Sequence, residues 1–302
     1  MGEQRGIYVE TLISEGLDRI WQLTQEPDLH TRWDLRFTRI QYLPRANPSE
    51  AQRFLYETRI GFGLAIEGTG ESVGNRSLEQ GDVTSSLKFA SDDPKSLIRN
   101  GAGYWKYVPT HAGLRFLTWY DYEVRFGAMG RLVDRLAFRR LIGWATAWSF
   151  DRLRLWVENE QAPETSMTLF MIHAITRLSI AFIWIWQGLV PKLLFRHVDE
   201  RQMLLQTGLP LGLLPWIAAG EILIGVLVLC TWRVRAIFIA NAMAMVLASV
   251  VVVARSPSYL TAAFNPVTLN LGVFALAITG WLASKTLPSA HKCLRANPRS
   301  QA

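Results

Sequence analysis

The chain has 302 residues, half of them apolar and 19% charged, a composition too hydrophobic for a disordered chain. Its formal charge of +7 is unevenly spread: residues 1–166 hold 21 basic and 22 acidic side chains, residues 167–302 hold 11 and 3. A basic excess confined to the charge-poor half argues against a nucleic-acid binder, and two cysteines, Cys230 and Cys293, exclude a disulfide framework or a cysteine-rich metal site.

Residues 1–20 hold no apolar core of signal-peptide length, so the first domain is expected to stay in the cytoplasm. Gly6–Ile13 alternates and reads as a strand. Ser14–Gln25 carries Leu17, Ile20, Trp21 and Leu23 at helical spacing, and Pro27 opens a second short helix that runs to Trp33. Six strands are expected next, at about 35–44, 51–62, 64–72, 78–90, 96–108 and 113–127. Asn47-Pro48, Gly68–Gly74, Asp92-Asp93-Pro94 and Pro109–Gly113 read as turns between them. In the last strand Phe116, Thr118, Tyr120, Tyr122, Val124 and Phe126 take one face, and mostly charged residues take the other, so one face is expected to be buried. Met129–Glu158 then changes to helical period.

This order is strand, two short helices, six strands and one long helix. With the opening IYVETLISEGLDRIWQLTQEPDLHTRW, it resembles the START-like superfamily, also called the polyketide cyclase or SRPBCC fold. The resemblance implies an α+β helix-grip fold over about residues 5–158: a curved antiparallel sheet around a long C-terminal helix, with an apolar cavity between them. Phe116, Thr118, Tyr120, Tyr122, Leu136, Trp144 and Trp148 are the expected cavity wall. No Ser/His/Asp set, carboxylate pair or phosphate loop is visible, so no catalytic residue is assigned. His30 and His111 read as surface histidines. Arg131, Arg135 and Arg139, at steps of four, form a stripe suited to anionic headgroups at a membrane surface.

The second half carries four apolar stretches, Met167–Leu189, Leu209–Cys230, Ala236–Ala254 and Pro266–Ala283. Each is long enough, at ~1.5 Å per residue, to cross a bilayer core. An all-α bundle of four transmembrane helices is therefore expected. The chain divides as a soluble domain at 1–158, a linker at 159–166, the membrane domain at 167–288 and a basic tail at 289–302. Lys and Arg near the span ends number six on the side of the termini and four on the other, which puts both termini in the cytoplasm of an inner-membrane protein.

Inside the spans, Arg177 and Glu221 read as an ion pair at similar depth. With His173, Asn241, Asn265 and Asn270 they are the candidate intramembrane polar site. Arg177, the run WIWQGLVPKLL (Trp184–Leu194), Glu200 with Met203-Leu204, Gly220-Glu221-Ile222 and FNPVTLNL (Phe264–Leu271) resemble the DoxX-like membrane family, over about residues 170–285. Some DoxX relatives are associated with quinone-linked redox complexes. Yet His173 is the lone histidine within a span, and this half has no CxxC couple.

The expectation is a non-catalytic inner-membrane protein whose START-like domain binds a hydrophobic small molecule beside a DoxX-like bundle. No metal and no resident cofactor are assigned; a quinone or a lipid is the ligand class considered. The partners are the lipid bilayer and that small molecule, with no nucleic acid. The rivals are a subunit of a quinone-linked membrane oxidoreductase, with a membrane redox partner, and a purely structural partner protein.

Overall fold

A computed structural model describes residues 6–47, 50–61, 63–77 and 81–296. They form two compact units: one holds the chain up to Ser166 together with the segment from Pro288 on, the other is Met167–Leu287.

In the first unit, β1 (Ile7–Ile13) leads into α1 (Leu17–Gln25) and α2 (Pro27–Trp33), the latter opened by Pro27, whose missing N–H a first helical turn does not need. Then come β2 (Arg39–Tyr42), β3 (Gln52–Gly61), β4 (Leu64–Ser77), β5 (Val83–Ala90), β6 (Ile98–Thr110) and β7 (Gly113–Val124). All neighbours pair antiparallel, in the order β1-β7-β6-β5-β4-β3-β2, so the meander closes back on the first strand. The alternation read in the last strand holds for Phe116, Thr118, Tyr120 and Tyr122, all buried, while Trp119 and Glu123 face outward; it fails at Phe126, which lies past the end of β7 and is 54% exposed. Several boundaries differ: β2 is confined to Arg39–Tyr42, and β7 ends at Val124. Gly68–Gly74 is not a turn; β4 continues through it. Gly68 and Gly70 are there because a Cβ would strike the rings of Tyr56 and Phe54, which lie across the strand from β3. Of the expected strand at 78–90, residues 78–80 lie outside the described residues.

The long helical run is not one helix. Phe126 adopts left-handed backbone (φ 68°), at a cost of ~1–2 kcal/mol for a residue with a side chain, and starts α3 (Gly127–Val133). A π-helical turn, Asp134–Phe138, joins this to α4 (Arg139–Asn159). The α4 helix covers the inner face of the sheet: Phe150 stacks on Phe116 at 4.5 Å, and Thr146 meets the Tyr120 hydroxyl. This is the helix-grip arrangement. The segment after Pro288 belongs to the same unit. Leu294 exchanges both backbone hydrogen bonds with Glu10 on the free edge of β1, Ser289 N–H donates to Asp151 at 2.7 Å, and the Cys293 thiol donates to the Ala147 carbonyl. Residues 297–302 of the expected basic tail lie outside the described residues.

The second unit contains α5 (Pro163–Gln187) from Met167 on, continued by a π-helical turn at Gly188–Leu194, then α6 (Val198–Gln206), α7 (Leu214–Cys230), α8 (Ala236–Arg255) and α9 (Pro266–Ala283). Four stretches are long and apolar enough to cross a membrane: Pro163–Leu194, Leu211–Cys230, Ala236–Arg255 and Pro266–Ala283. Ile180, Ala181, Val228, Phe238, Ala242 and Ala277 fill the interior, while Phe182, Leu223, Met243 and Leu247 point outward. An apolar exterior suits lipid as its solvent. Gly188 leaves room for a close approach, since a Cβ there would press on the Ala218 carbonyl of α7.

Candidate functional site

The soluble unit encloses a cavity of about 160 Å³ between the sheet, α2 and α4. Phe54 and Tyr56 of β3, Leu87 and Phe89 of β5, Trp105 of β6, and Thr118 and Tyr120 of β7 supply its walls. One side is polar. The α2 helix ends at Trp33, whose indole donates to the Leu23 carbonyl. The next three residues are pinned to α4 where Ser149 Oγ accepts from Leu35 N–H at 2.9 Å. That fixes Asp34, which is 1% exposed, and Arg36. Arg36 donates to the carboxylate through Nε (2.9 Å) and Nη2 (2.7 Å), and His30 Nε2 lies 3.0 Å from the same group.

Burial alone would raise the Asp34 carboxyl. The Arg36 guanidinium and the His30 hydrogen bond outweigh it and hold the group well below the usual carboxylate range. Burial pushes the Tyr120 phenol up, Arg36 offsetting part of the rise, so it stays protonated at neutral pH. Its hydroxyl lies 2.8 Å from Thr146 Oγ1, which donates to the Ile142 carbonyl, so Tyr120 is the donor. Such a wall presents a fixed guanidinium beside aromatic rings, suited to one acceptor group on an otherwise apolar molecule.

Of the seven residues expected to line the cavity, Thr118 and Tyr120 do so. Phe116 is fully buried in the ring cluster of Trp33, Trp105, Tyr107 and Phe150, and packs the core instead. Tyr122 donates to Asp134 at 2.6 Å, beyond the cavity end. Trp144 and Trp148 pack on each other along α4, outside the wall. Leu136 corrects the expectation outright: it is 60% exposed, because the π-helical turn rotates that stretch away from the sheet. His30 is a second correction. It is buried, stacked on Trp33 and edge-on to Trp105, and lines the cavity. His111 is exposed as expected. Sequence reasoning missed His30, Asp34 and Arg36. The signal was there, a histidine and an aspartate one helical turn apart with an arginine two residues on, set among Trp33 and Phe37.

A wider groove of about 860 Å³ runs over β3–β7, rimmed by Arg53, Glu71, Lys88, Asp121 and Arg131. It is open and charged, and so is the poorer receptor for an apolar molecule. Phe89 stands in the wall of both groove and cavity.

The arginine stripe also divides. Arg131 and Arg135 are exposed, but Arg139 donates to Asp134 and Asp121 at 3.0 Å each and lies over the Tyr122 ring, so it is spent within the fold.

In the membrane unit the expected Arg177–Glu221 pair does not form. Arg177, fully buried, donates to the Val228 and Val234 carbonyls at 2.5 and 2.9 Å and to His173 Nε2 at 3.0 Å. Because arginine has no acceptor, His173 Nε2 must accept. Its Nδ1–H then donates to Ser284 Oγ, 2.8 Å away, and Ser284 donates to the Gly280 carbonyl. This set ties off carbonyls at the α7 C-terminus, the end that favours a cation. Glu221 sits two turns away on α7 and pairs with Lys192 at 3.0 Å, and Lys192 also meets Glu200 at 3.2 Å. The Pro191-containing π-helical turn is what brings Lys192 there. These three, with Gln187, Thr207 and Asn270, line a second cavity of about 340 Å³ whose other walls are mostly apolar. Asn241 accepts from the Trp184 indole, and Asn265 caps α9 through Val267 N–H. The six expected polar residues thus form a clamp, a cavity wall and two local supports, not one site.

The DoxX-like family model matches residues 181–278. The uncharacterized membrane protein YndG of Bacillus subtilis is 50% identical over 186 residues, which cover 61% of this chain and 69% of that protein. The chain belongs to the family of that membrane protein. A match of such length exceeds the continuous run of either unit, so it crosses the boundary at Ser166 and includes part of both. Among solved structures, the di-domain ARO/CYC StfQ from the steffimycin pathway is 20% identical, over 51% of this chain and 50% of that one, at a TM-score of 0.41. A STAR-related lipid transfer protein from Xanthomonas axonopodis is 11% identical, over 48% and 85%, at 0.37. Likenesses of this degree assign no ligand; the helix grip rests on the strand order and α4 themselves.

Proposed function

We propose that this membrane protein holds a hydrophobic small molecule, lipid-like or quinone-like, in the cavity of its soluble unit and handles it beside the bilayer. The observation that carries this is the cavity walled largely by aromatic and aliphatic side chains, with His30, Arg36 and Tyr120 grouped on one side, in one chain with a four-helix membrane unit. The role is binding and transfer, with no step of bond chemistry assigned. Protein purified in mild detergent should release one dominant apolar species on solvent extraction, identified by mass spectrometry. Arg36→Met should lower its yield several-fold relative to total phospholipid. Release of bulk lipid alone, in equal amount from both, would overturn the reading.

We infer further that the soluble unit lies in the cytoplasm, with both termini, and that the membrane is a bacterial inner membrane. The bias of Lys and Arg among the loops supports this. The soluble unit also takes in chain from both ends of the helical unit, which requires an even number of crossings. An alkaline phosphatase fusion near His197 should be active, and one after Ala302 inactive. The reverse pattern would sink the assignment.

The 340 Å³ cavity favours one second reading. Lys192 and Glu221 could orient the head of a quinone inside the bundle, as in a subunit of a membrane oxidoreductase. Bound quinone lost selectively in Glu221→Gln, and retained in Arg36→Met, would favour it over the first.

A further inference from the structure

The stretch from Phe126 to Leu141 breaks the usual rule for a soluble surface. Met129, Leu132, Val133 and Leu136 fall at i, i+3, i+4 and i+7, the spacing by which a helix buries one face. Here that stripe is turned outward: these four side chains are 67, 50, 46 and 60% exposed, with Phe126 at 54% and Leu141 at 60% beside them. The face toward the fold is instead carried by Gly130 and Asp134. Two backbone features set this presentation, the left-handed Phe126 and the π-helical turn at Asp134–Phe138.

The charge on the same stretch is one-signed. Arg131, Arg135 and Arg140 are exposed, while the acidic Asp134 is buried and bound by Tyr122 and Arg139. So an apolar stripe is flanked by three outward guanidiniums with no exposed carboxylate among residues 126–141.

We propose that residues 126–141 form an interfacial anchor, which sinks Met129, Leu132 and Leu136 into the headgroup boundary of an anionic bilayer and sets Arg131, Arg135 and Arg140 on lipid phosphates. Charge complementarity selects the occupant: a cationic rim around an apolar stripe is the pattern of a helix lying in a lipid interface. The chain supplies the bilayer itself, since its membrane unit begins at Met167, directly after the soluble unit ends at Ser166. Arg131 also stands on the rim of the groove whose floor shares Phe89 with the cavity, so the anchor places that groove at the lipid surface.

The test uses the full chain in lipid nanodiscs. Cys230, the exposed cysteine, is replaced by serine, and a bimane label is placed at Leu136→Cys or, as a control on β1 at the opposite end of the sheet, at Leu12→Cys. Lipids carrying a nitroxide near the headgroup should quench the label at 136 at least threefold more than the label at 12. The difference should be larger in discs containing phosphatidylglycerol than in phosphatidylcholine alone, and should shrink at high salt. Changing Arg131, Arg135 and Arg140 together to Gln alters exposed side chains only, and should bring quenching at 136 at least halfway to the control. Equal quenching at both sites would overturn the proposal. So would a label at 136 that is shielded from nitroxide lipid yet shifted to shorter wavelength, because that reports a protein partner or a second copy on the stripe.

Discussion

In the soluble unit the buried carboxylate and guanidinium stand two residues apart, Asp34 and Arg36, with His30 one helical turn before them. In the membrane unit Arg177 reaches partners 51 and 57 residues away, and those partners are backbone carbonyls. The first arrangement joins residues of one local turn, which Ser149 of α4 then pins in place. The second exists only when α5 meets the end of α7. The contrast follows from solvent. In water an unmatched charge can wait in the unfolded chain, whereas in lipid every polar group of a span needs a partner, and helix ends offer carbonyls ready-made.

The largest effect should come from Arg177. Arg177→Gln leaves the Val228 and Val234 carbonyls and His173 Nε2 without their donor. At ~1–3 kcal/mol per buried unsatisfied group, the loss over these three is roughly 3–9 kcal/mol. Thermal unfolding of the full chain in detergent checks it. Glu221→Gln should cost less, about 1 kcal/mol, since Lys192 keeps Glu200. The two changes should add, because the residues share no partner. A coupling above about 1 kcal/mol would restore the Arg177–Glu221 pair and erase the contrast between the halves.

Next comes Asp34→Asn, which strands the buried Arg36; breaking such a pair costs about 3 kcal/mol. The pH dependence has a definite sign. The folded carboxyl is held below its unfolded value, so its stabilisation is fully present above about pH 4 and fades as pH falls through the folded value. The stability gap between parent and variant should be flat from neutrality to about pH 5 and narrow below about pH 4. A gap that widens in acid would mean the carboxyl is not held low.

Phe89→Ala should have a smaller effect on stability, about 1–2 kcal/mol, because the ring is only half-buried. Its consequence for binding is sharper. Removing the ring joins the 160 Å³ cavity to the open groove, so an apolar dye should enter and leave at least tenfold faster in stopped-flow fluorescence. Unchanged exchange would show that Phe89 divides nothing.

What could be read in advance follows the same division. The seven strands and four spans declare themselves by period 2 and by length, both local properties. The β7 face, from Phe116 to Tyr122, was legible for that reason. Arg36 was not, because whether an arginine after a short helix turns inward depends on Ser149, 114 residues on, gripping Leu35 N–H. Lys192 sat unremarked among loop cations, since nothing in WIWQGLVPKLL reveals that Pro191 lies in a π-helical turn that swings the lysine onto Glu221. Gly68 and Gly70 looked like turn residues, and only the rings of Tyr56 and Phe54 explain them.

The smallest expected effect is the most discriminating between core and surface. Helical periodicity put Leu136 in line with Trp144 and Trp148, on the side facing the sheet. A regular helix would keep it there, and Leu136→Ser would then cost the ~2–5 kcal/mol of a truncated core leucine. The π-helical turn at Asp134–Phe138 adds residues to one turn, rotates the register, and leaves Leu136 60% exposed while Asp134 goes in. In detergent, where no bilayer is offered to the stripe, Leu136→Ser should therefore change stability by no more than about 0.5 kcal/mol. Dye binding in the cavity should be unchanged, because Leu136 is absent from its wall. A loss above about 2 kcal/mol would return Leu136 to the core. The turn would then have to be α-helical, and the exposed stripe on this unit would disappear with it.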